Sequence, residues 1–265
     1  DITRFHCALW PAMLMSAGLP LPKQVFGHGF VYNKGAKISK SAGTAIDPMD
    51  VFRVHGADAF RYYFTRECPF GGDGNFSEER FAEVYNADLA NNLGNLYSRT
   101  LSMCVKYFDG DLAPSAGVDV TRWRAGASAL DAVVEDIRAL VGSFQYNVAL
   151  QRIWQEVLDP ANRYIDATAP FKLAKTDPDA CRVVLINLAE ALRVAAILIK
   201  PFLPGTAETF YRAFNFEEVA PWSSVGYGDA ASPPVLRGDW RVTAELPGGK
   251  PAPLFPKIEP KADGA

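Results

Sequence analysis

Lysine, serine and glycine crowd one short stretch of this 265-residue chain, Asn33-Lys34-Gly35-Ala36-Lys37-Ile38-Ser39-Lys40-Ser41-Ala42-Gly43. Lys37 and Lys40 bring mobile point charges, and Ser39, Ser41 and exposed backbone N–H groups add donors, so such a loop can close over a polyphosphate. Taken alone, a basic glycine-containing turn is also what an ordinary solvated loop looks like. Three further groups carry chemistry. His6 and Trp10 stand four residues apart in a helical pattern that includes Phe5, and so share a face, either as packed aromatics or as the wall of a slot. In Phe26-Gly27-His28-Gly29-Phe30 two glycines interrupt a strand-like run, which permits close approach by a ligand or by other backbone. Asn86 to Thr100 is rich in asparagine, a poor helix former. Asn95 and Arg99 share a face there, as polar readers of a partner or as interhelical hydrogen-bonding groups.

Elements of two kinds must position these groups. Residues 1–17 read as a helix ended by Gly18 and Pro20. Residues 24–32, rich in Val, Phe and Tyr, read as a strand leading into the lysine–serine loop. Asp47-Pro48 starts a short helix over 49–55, Gly56 closes it, and 57–67 is a second helix with Phe60, Tyr63 and Phe64 on its apolar face. The three glycines of 69–74 mark a hinge-like loop. Ser77 can cap the next helix, which runs to about Tyr107 with Glu78 and Glu79 at its positive end. Helical patterns follow at 121–142, 147–165, 168–175, 179–199 and 205–214. From Asn215 the chain is dense in Pro and Gly, with Leu254, Phe255 and Ile258 as apolar anchors, and 261–265 is expected to fray.

Bulk properties narrow the function classes. The net charge of −3 argues against a general nucleic-acid coat, though not against a local basic groove. Cys7, Cys68, Cys104 and Cys181 lie far apart with no CxxC spacing, and only three histidines are present, which argues against a zinc site within this chain. Scattered thiols fit a reducing cytoplasm. The longest apolar stretch, 183–199, is interrupted by Glu190 and Arg193 and ended by Pro201, which suits a buried bundle helix better than a membrane span. The chain opens at Asp1, without Met, inside an amphipathic pattern, so a fragment of something longer is expected.

The run Lys37-Ile38-Ser39-Lys40-Ser41 resembles the KMSKS signature of class I aminoacyl-tRNA synthetases, with Ile38 as an apolar anchor in place of methionine. Asp1-Ile2-Thr3-Arg4-Phe5-His6 followed by Trp10-Pro11-Ala12 resembles the segment after the connective insertion of methionyl-tRNA synthetases. Asn86 to Thr100 resembles that family's anticodon helix. The stretch Asn162-Arg163-Tyr164-Ile165-Asp166-Ala167-Thr168-Ala169-Pro170-Phe171-Lys172 is similar to the family's stacking platform, where tryptophan usually stands at the position of Phe171. The segments occur in the family's order, and the resemblance runs to about Phe214.

That resemblance implies an α/β plus all-α chain, the second half of a Rossmann-type catalytic domain followed by a helical anticodon-binding bundle. Residues 1–68 would end the catalytic domain, 69–214 would form the bundle, and 215–265 would be a tail packing back on the body. The implied activity is ATP-dependent attachment of L-methionine to tRNA(Met) through methionyl-adenylate, with Mg²⁺. Lys37, Ser39 and Lys40 would do the chemistry, and Lys40 would hold the pyrophosphate. His28 and Gly29 would lie beside the ATP. Asp1, Phe5, His6 and Trp10 would form the methionine pocket, and Asn95, Arg99 and Phe171 would read the CAU anticodon. His28-Gly29 is not the HIGH motif, which belongs to the missing amino-terminal half, as would any zinc. The implied partners are tRNA(Met), L-methionine and that half, with no membrane. The isolated chain is therefore expected to be inactive. Synthetases for Leu, Ile, Val or Cys would share the KISKS loop and a bundle, and the His6/Trp10 and Asn95/Arg99 pairs discriminate against them. A noncatalytic tRNA-binding protein built from a detached bundle is the other alternative.

Overall fold

The computed structural model describes residues 2–38, 47–232, 240–242 and 251–259, with Lys37 described through its backbone alone. The first helix is continuous but not uniform: α1 (Ile2–Arg4) passes through a wide π turn, Phe5–Leu9, into α2 (Trp10–Ser16). Gly18 at φ 67° ends it, with Leu19 N–H donating back to the Leu14 carbonyl at 2.9 Å, the closure a left-handed glycine permits. Most of the run read as a strand over 24–32 is irregular and joins no ladder. Only β1 (Val31–Asn33) pairs, turning through Lys34 and Gly35, both at positive φ, into antiparallel β2 (Ala36–Lys37). The lysine-rich run therefore begins as a two-residue hairpin. A parallel partner, β3 (Gly74–Phe76), lies on the other side of β1, which gives the order β2-β1-β3. The glycine-rich stretch 69–74 is thus a connection ending in a strand.

Asp47 caps α3 (Pro48–His55), accepting from Met49 N–H at 2.9 Å, and Gly56 at φ 82° turns the chain into α4 (Ala57–Glu67). Helix α4 joins the sheet to the bundle. Tyr63 OH donates to the Asn75 carbonyl in β3 at 2.9 Å, and Arg61 donates to the carbonyls of Pro201 and Phe202 at 2.6 and 2.9 Å. Ser77 caps α5 (Glu78–Val84) by accepting from Arg80 N–H, as its position predicts. The helix continues through a second wide segment, Tyr85–Gly94, into α6 (Asn95–Phe108).

The pattern over 121–142 resolves into a single 3₁₀ turn, Arg122–Arg124, and α7 (Leu130–Gly142), separated at Gly126 with φ 79°. Phe144 then takes φ 63°. For a residue with a Cβ this left-handed conformation costs about 1–2 kcal/mol. Helix α8 (Tyr146–Ile153) runs through a third wide turn, Trp154–Leu158, into α9 (Asp159–Thr168). Ala169 at φ 43° makes the elbow to α10 (Pro170–Thr176). Then follow α11 (Pro178–Ile199), α12 (Pro204–Ala213) and α13 (Tyr227–Ala231).

Helix α11 is the centre of the core: every residue from Val184 to Ile199 is buried. No described helix is long and apolar enough to cross a membrane. Burial of Glu190 and Arg193 is made possible by pairing. The guanidinium grips the carboxylate through two bonds, at 2.7 and 2.8 Å, and donates to the carbonyls of Asp229, Ala230 and Ser232 at the end of α13. Burial still pushes the Glu190 carboxyl above its ordinary value, against the opposing pull of Arg193. The described tail docks on the body: Trp240 Nε1–H donates to the Phe214 carbonyl, and Asn86 exchanges two hydrogen bonds with the Ile258 backbone.

Arg193→Met would leave a buried carboxylate without its counter-charge and should cost about 3–5 kcal/mol. Urea unfolding of the variant reads this as a lower midpoint at unchanged slope. A loss under about 1 kcal/mol would mean the pair contributes no net pinning of α13.

Candidate functional site

Two groups of predicted residues are brought together in two different places. The first lies on the opening helix. The wide turn at Phe5–Leu9 puts Phe5, His6, Leu9, Trp10 and Met13 around one open apolar hollow of about 430 Å³. His6 and Trp10 meet edge to face with ring centroids 6.3 Å apart. His6 Nδ1–H donates to the Ile2 carbonyl at 3.0 Å, which leaves Nε2 as an acceptor beside the hollow. Phe5 is 57 % exposed and Trp10 42 % exposed, so this face is a surface here and not a core. Met13, Met15, Leu19, Leu21, Phe26 and Phe30 continue the exposed apolar surface. Isolated exposed side chains need no explanation, but this many large apolar side chains exposed within residues 5–30 do.

His28 and Gly29 lie between this helix and β1. His28 Nδ1–H donates to the Gly29 carbonyl at 2.8 Å. A Cβ built on Gly29 would stand 1.9 Å from the Gly72 carbonyl oxygen, so backbone already fills the space that a glycine there leaves. Two bonds lock the approach: Phe30 N–H to Asp73 Oδ1 and Gly74 N–H to the Phe30 carbonyl, both 2.7 Å. Asp1, Ser39 and Lys40 lie outside the described residues, as does the side chain of Lys37. Ala36 and Lys37 in β2 are the structural base from which that loop departs.

The second group lies on the bundle. Asn95 and Arg99 stand on one side of α6, Asn95 exposed and Arg99 half-buried. Arg99 Nη2 donates to Asp166 Oδ1 on α9 at 2.9 Å, which ties α6 to the helix that leads through the Ala169 elbow to Phe171. Phe171 is 48 % exposed, with Lys172 Nζ 5.9 Å from its ring centroid. Pro170, beneath it, is buried, and its carbonyl accepts from Cys181 Sγ. The asparagines divide into two roles. Asn86 and Asn92 bond across the fold, Asn92 to Asp159 and Asn162 at 2.9 Å each, whereas Asn95 projects outward.

Beside this network lies a polar pocket of about 430 Å³ that sequence reading missed, lined by Tyr62, Arg66, Asp88, Asn92, Trp154 and Gln155 among others. Tyr62 OH donates to Asp88 Oδ2 at 2.9 Å, and Arg66 Nε donates to the same oxygen at 2.7 Å. Burial, helped by the Asp88 charge, pushes the Tyr62 hydroxyl well above its ordinary value. Burial also raises Glu67, but Arg80 and Arg66 outweigh it and hold that carboxyl below its usual range. The members come from α4, the wide Tyr85–Gly94 segment and the α8–α9 helix; helical spacing relates Tyr62 to Arg66 and Asp88 to Asn92, but nothing local relates the elements to one another.

Gly29→Ala should cost about 1–3 kcal/mol, because the intruding methyl meets fixed backbone. Gly27→Ala is its control, with nothing within 4 Å of the added carbon. Equal urea midpoints for the two variants would remove the packing role of Gly29.

Residues 1–101 match the family described as tRNA synthetases class I (M), and residues 124–234 match the anticodon-binding domain of tRNA ligases. Among curated proteins, the chain is 40 % identical over 265 residues to the methionine--tRNA ligase of Bacillus subtilis (strain 168), covering 98 % of this chain and 38 % of that protein. To the one from Brucella melitensis biotype 1 it is 41 % identical over 257 residues, covering 97 % and 47 %. Among solved structures, Mycobacterium tuberculosis methionyl-tRNA synthetase in its free state superposes with a TM-score of 0.76 at 33 % identity, over 98 % of this chain and 49 % of that one. The same protein in complex with methionyl-adenylate gives 0.79 at 34 % identity, over 97 % and 48 %. The chain thus spans less than half the length of each of these relatives.

Proposed function

Because this chain belongs to the methionyl class I aminoacyl-tRNA synthetases, we propose that it is the carboxyl-terminal part of a cytoplasmic methionine--tRNA ligase. The whole protein joins L-methionine to tRNA(Met) in two steps, through methionyl-adenylate, with ATP as substrate and Mg²⁺ entering on the nucleotide phosphates. The observation that carries this reading is the bundle surface. Asn95 and Arg99 share one face of α6, and the Arg99–Asp166 bond ties it to α9, which leads through the Ala169 elbow to the exposed Phe171 at the start of α10.

In this reading the single-stranded anticodon is held by edge hydrogen bonds from Asn95 and Arg99 and by stacking on Phe171. Phenylalanine keeps a π face but offers less area than tryptophan and no N–H, so stacking falls below the usual contribution of roughly 1–3 kcal/mol per base. At the other end, the hollow between His6 and Trp10 receives the methionine side chain, where a thioether gains from aromatic edges. Asp1 and Phe5 complete that pocket, and His28 and Gly29 lie along the nucleotide. Lys37, Ser39 and Lys40 stabilise charge that builds on the α-phosphoryl group and the departing pyrophosphate. Preplaced cations help most in the transition state, where that charge is greatest. Their loop closes only over bound ATP. The exposed apolar surface of residues 5–30 is covered by the amino-terminal part of the same protein, which also brings the rest of the nucleotide fold.

Titration of the chain with anticodon hairpins tests the bundle. CAU should bind about tenfold or more tightly than single-base variants, and Arg99→Ala should abolish the preference. Equal affinity for all hairpins would overturn the assignment of Asn95, Arg99 and Phe171. For the active site, the isolated chain should give no methionine-dependent ATP–pyrophosphate exchange, and adding the amino-terminal part should restore it. Exchange by the chain alone would refute the division of labour.

A further inference from the structure

Helix α7 ends in a motif that favours glycine. Phe144 N–H donates to the Val141 carbonyl at 3.1 Å and Gln145 N–H to the Leu140 carbonyl at 2.9 Å, with the residue between Ser143 and Gln145 in the left-handed region. Phenylalanine occupies that position. A side chain that worsens its own backbone is held there by what the ring does. Its ring centroid lies 4.0 Å from that of Phe26 and 5.5 Å from that of Phe70, and Phe26 and Phe70 are 5.9 Å apart. On the bundle side the contacts continue from Phe144 to Tyr146 at 5.9 Å and on to Phe202, beyond the end of α11, at 6.3 Å. On the sheet side, Phe26 lies four residues before Phe30, whose backbone is bonded to Asp73 and Gly74 and leads directly into β1 and β2.

We infer that Phe144 is a positioning residue. Its ring, clamped with Phe26 and Phe70, fixes the bundle at a set orientation to the β1–β2 hairpin from which the lysine–serine loop departs. A tRNA gripped at its anticodon then presents its far end to the chemistry. This rests on the proposed function, in which the bundle and the loop act on opposite ends of one RNA. Chemistry that needs no tRNA does not depend on that orientation, and hairpin binding depends on α6, α9 and α10 alone.

The test uses the full-length protein carrying Phe144→Gly, which suits the left-handed backbone and removes the ring. Pyrophosphate exchange should stay within about twofold of wild type, while aminoacylation kcat/KM for whole tRNA falls about tenfold or more. Affinity for the CAU hairpin should be unchanged. Phe26→Ala should cause a like loss in aminoacylation, and the double variant should be no worse than the worse single, because both remove one contact. Normal aminoacylation by Phe144→Gly, or parallel loss of exchange and aminoacylation, overturns the inference while leaving the proposed function intact. Failure of the wild-type protein to charge tRNA(Met) overturns both.

Discussion

A helix buried on every side cannot carry a polar group that is not answered from within, and α11 carries several. Most are answered by the backbone of irregular segments, and Glu190 by Arg193 on the same helix. Asn187 accepts from Arg122 N–H and donates to the Asp119 carbonyl, which fixes the turn-rich stretch before α7. Arg193, paired with Glu190, gathers three carbonyls around the end of α13. Beyond the helix end, Lys200 Nζ donates to the Trp222 and Val225 carbonyls and lies 4.2 Å from the Trp222 ring centroid. Near its start, Arg182 donates to the Asp111 carbonyl and lies over the Phe108 ring. The cost of burying these groups is offset only when the loops take these shapes. The central helix therefore organises the connections as well as the core.

Around that spine the chain is uneven. From α4 onward, aromatic and aliphatic side chains are buried in one continuous cluster. Residues 2–30 do the opposite and turn Phe, Trp, Met and Leu outward. The opening helix therefore carries an apolar face that the described residues leave exposed. Helix α4 carries the join, since it bonds to β3 on one side and to the end of α11 on the other.

Much of this was legible because it is local. Ser77 and Asp47 cap helices as their types and positions demand, and α4 has the bounds its pattern predicts. The pairing of Asn95 with Arg99 on one face follows from helical spacing. What was not legible depends on distant partners. The stretch 24–30 has strand composition, but β3 supplies only three residues of ladder, so most of it stays unpaired. The 121–129 region has helical composition, yet Asn187 and the left-handed Gly126 hold it as a single turn and a break. In the Tyr62–Asp88–Arg66 network, Asp88 lies over twenty positions from both of its partners. Gly29 could be read as room for a ligand or room for backbone, and Gly72 supplies the backbone.

The three wide turns, Phe5–Leu9, Tyr85–Gly94 and Trp154–Leu158, bear on how sequences of this kind are aligned and edited. A wide turn accommodates extra residue length without ending the helix. Deleting one residue within Tyr85–Gly94 would shorten the rod slightly, but would rotate everything after it by about 100° relative to the residues before it. Asn95 and Arg99 follow at once, and the buried residues of α6, Leu96, Tyr97, Thr100, Leu101 and Cys104, follow with them. An alignment that slides one residue across this segment keeps good helical composition on both sides and still assigns the exposed face to the core.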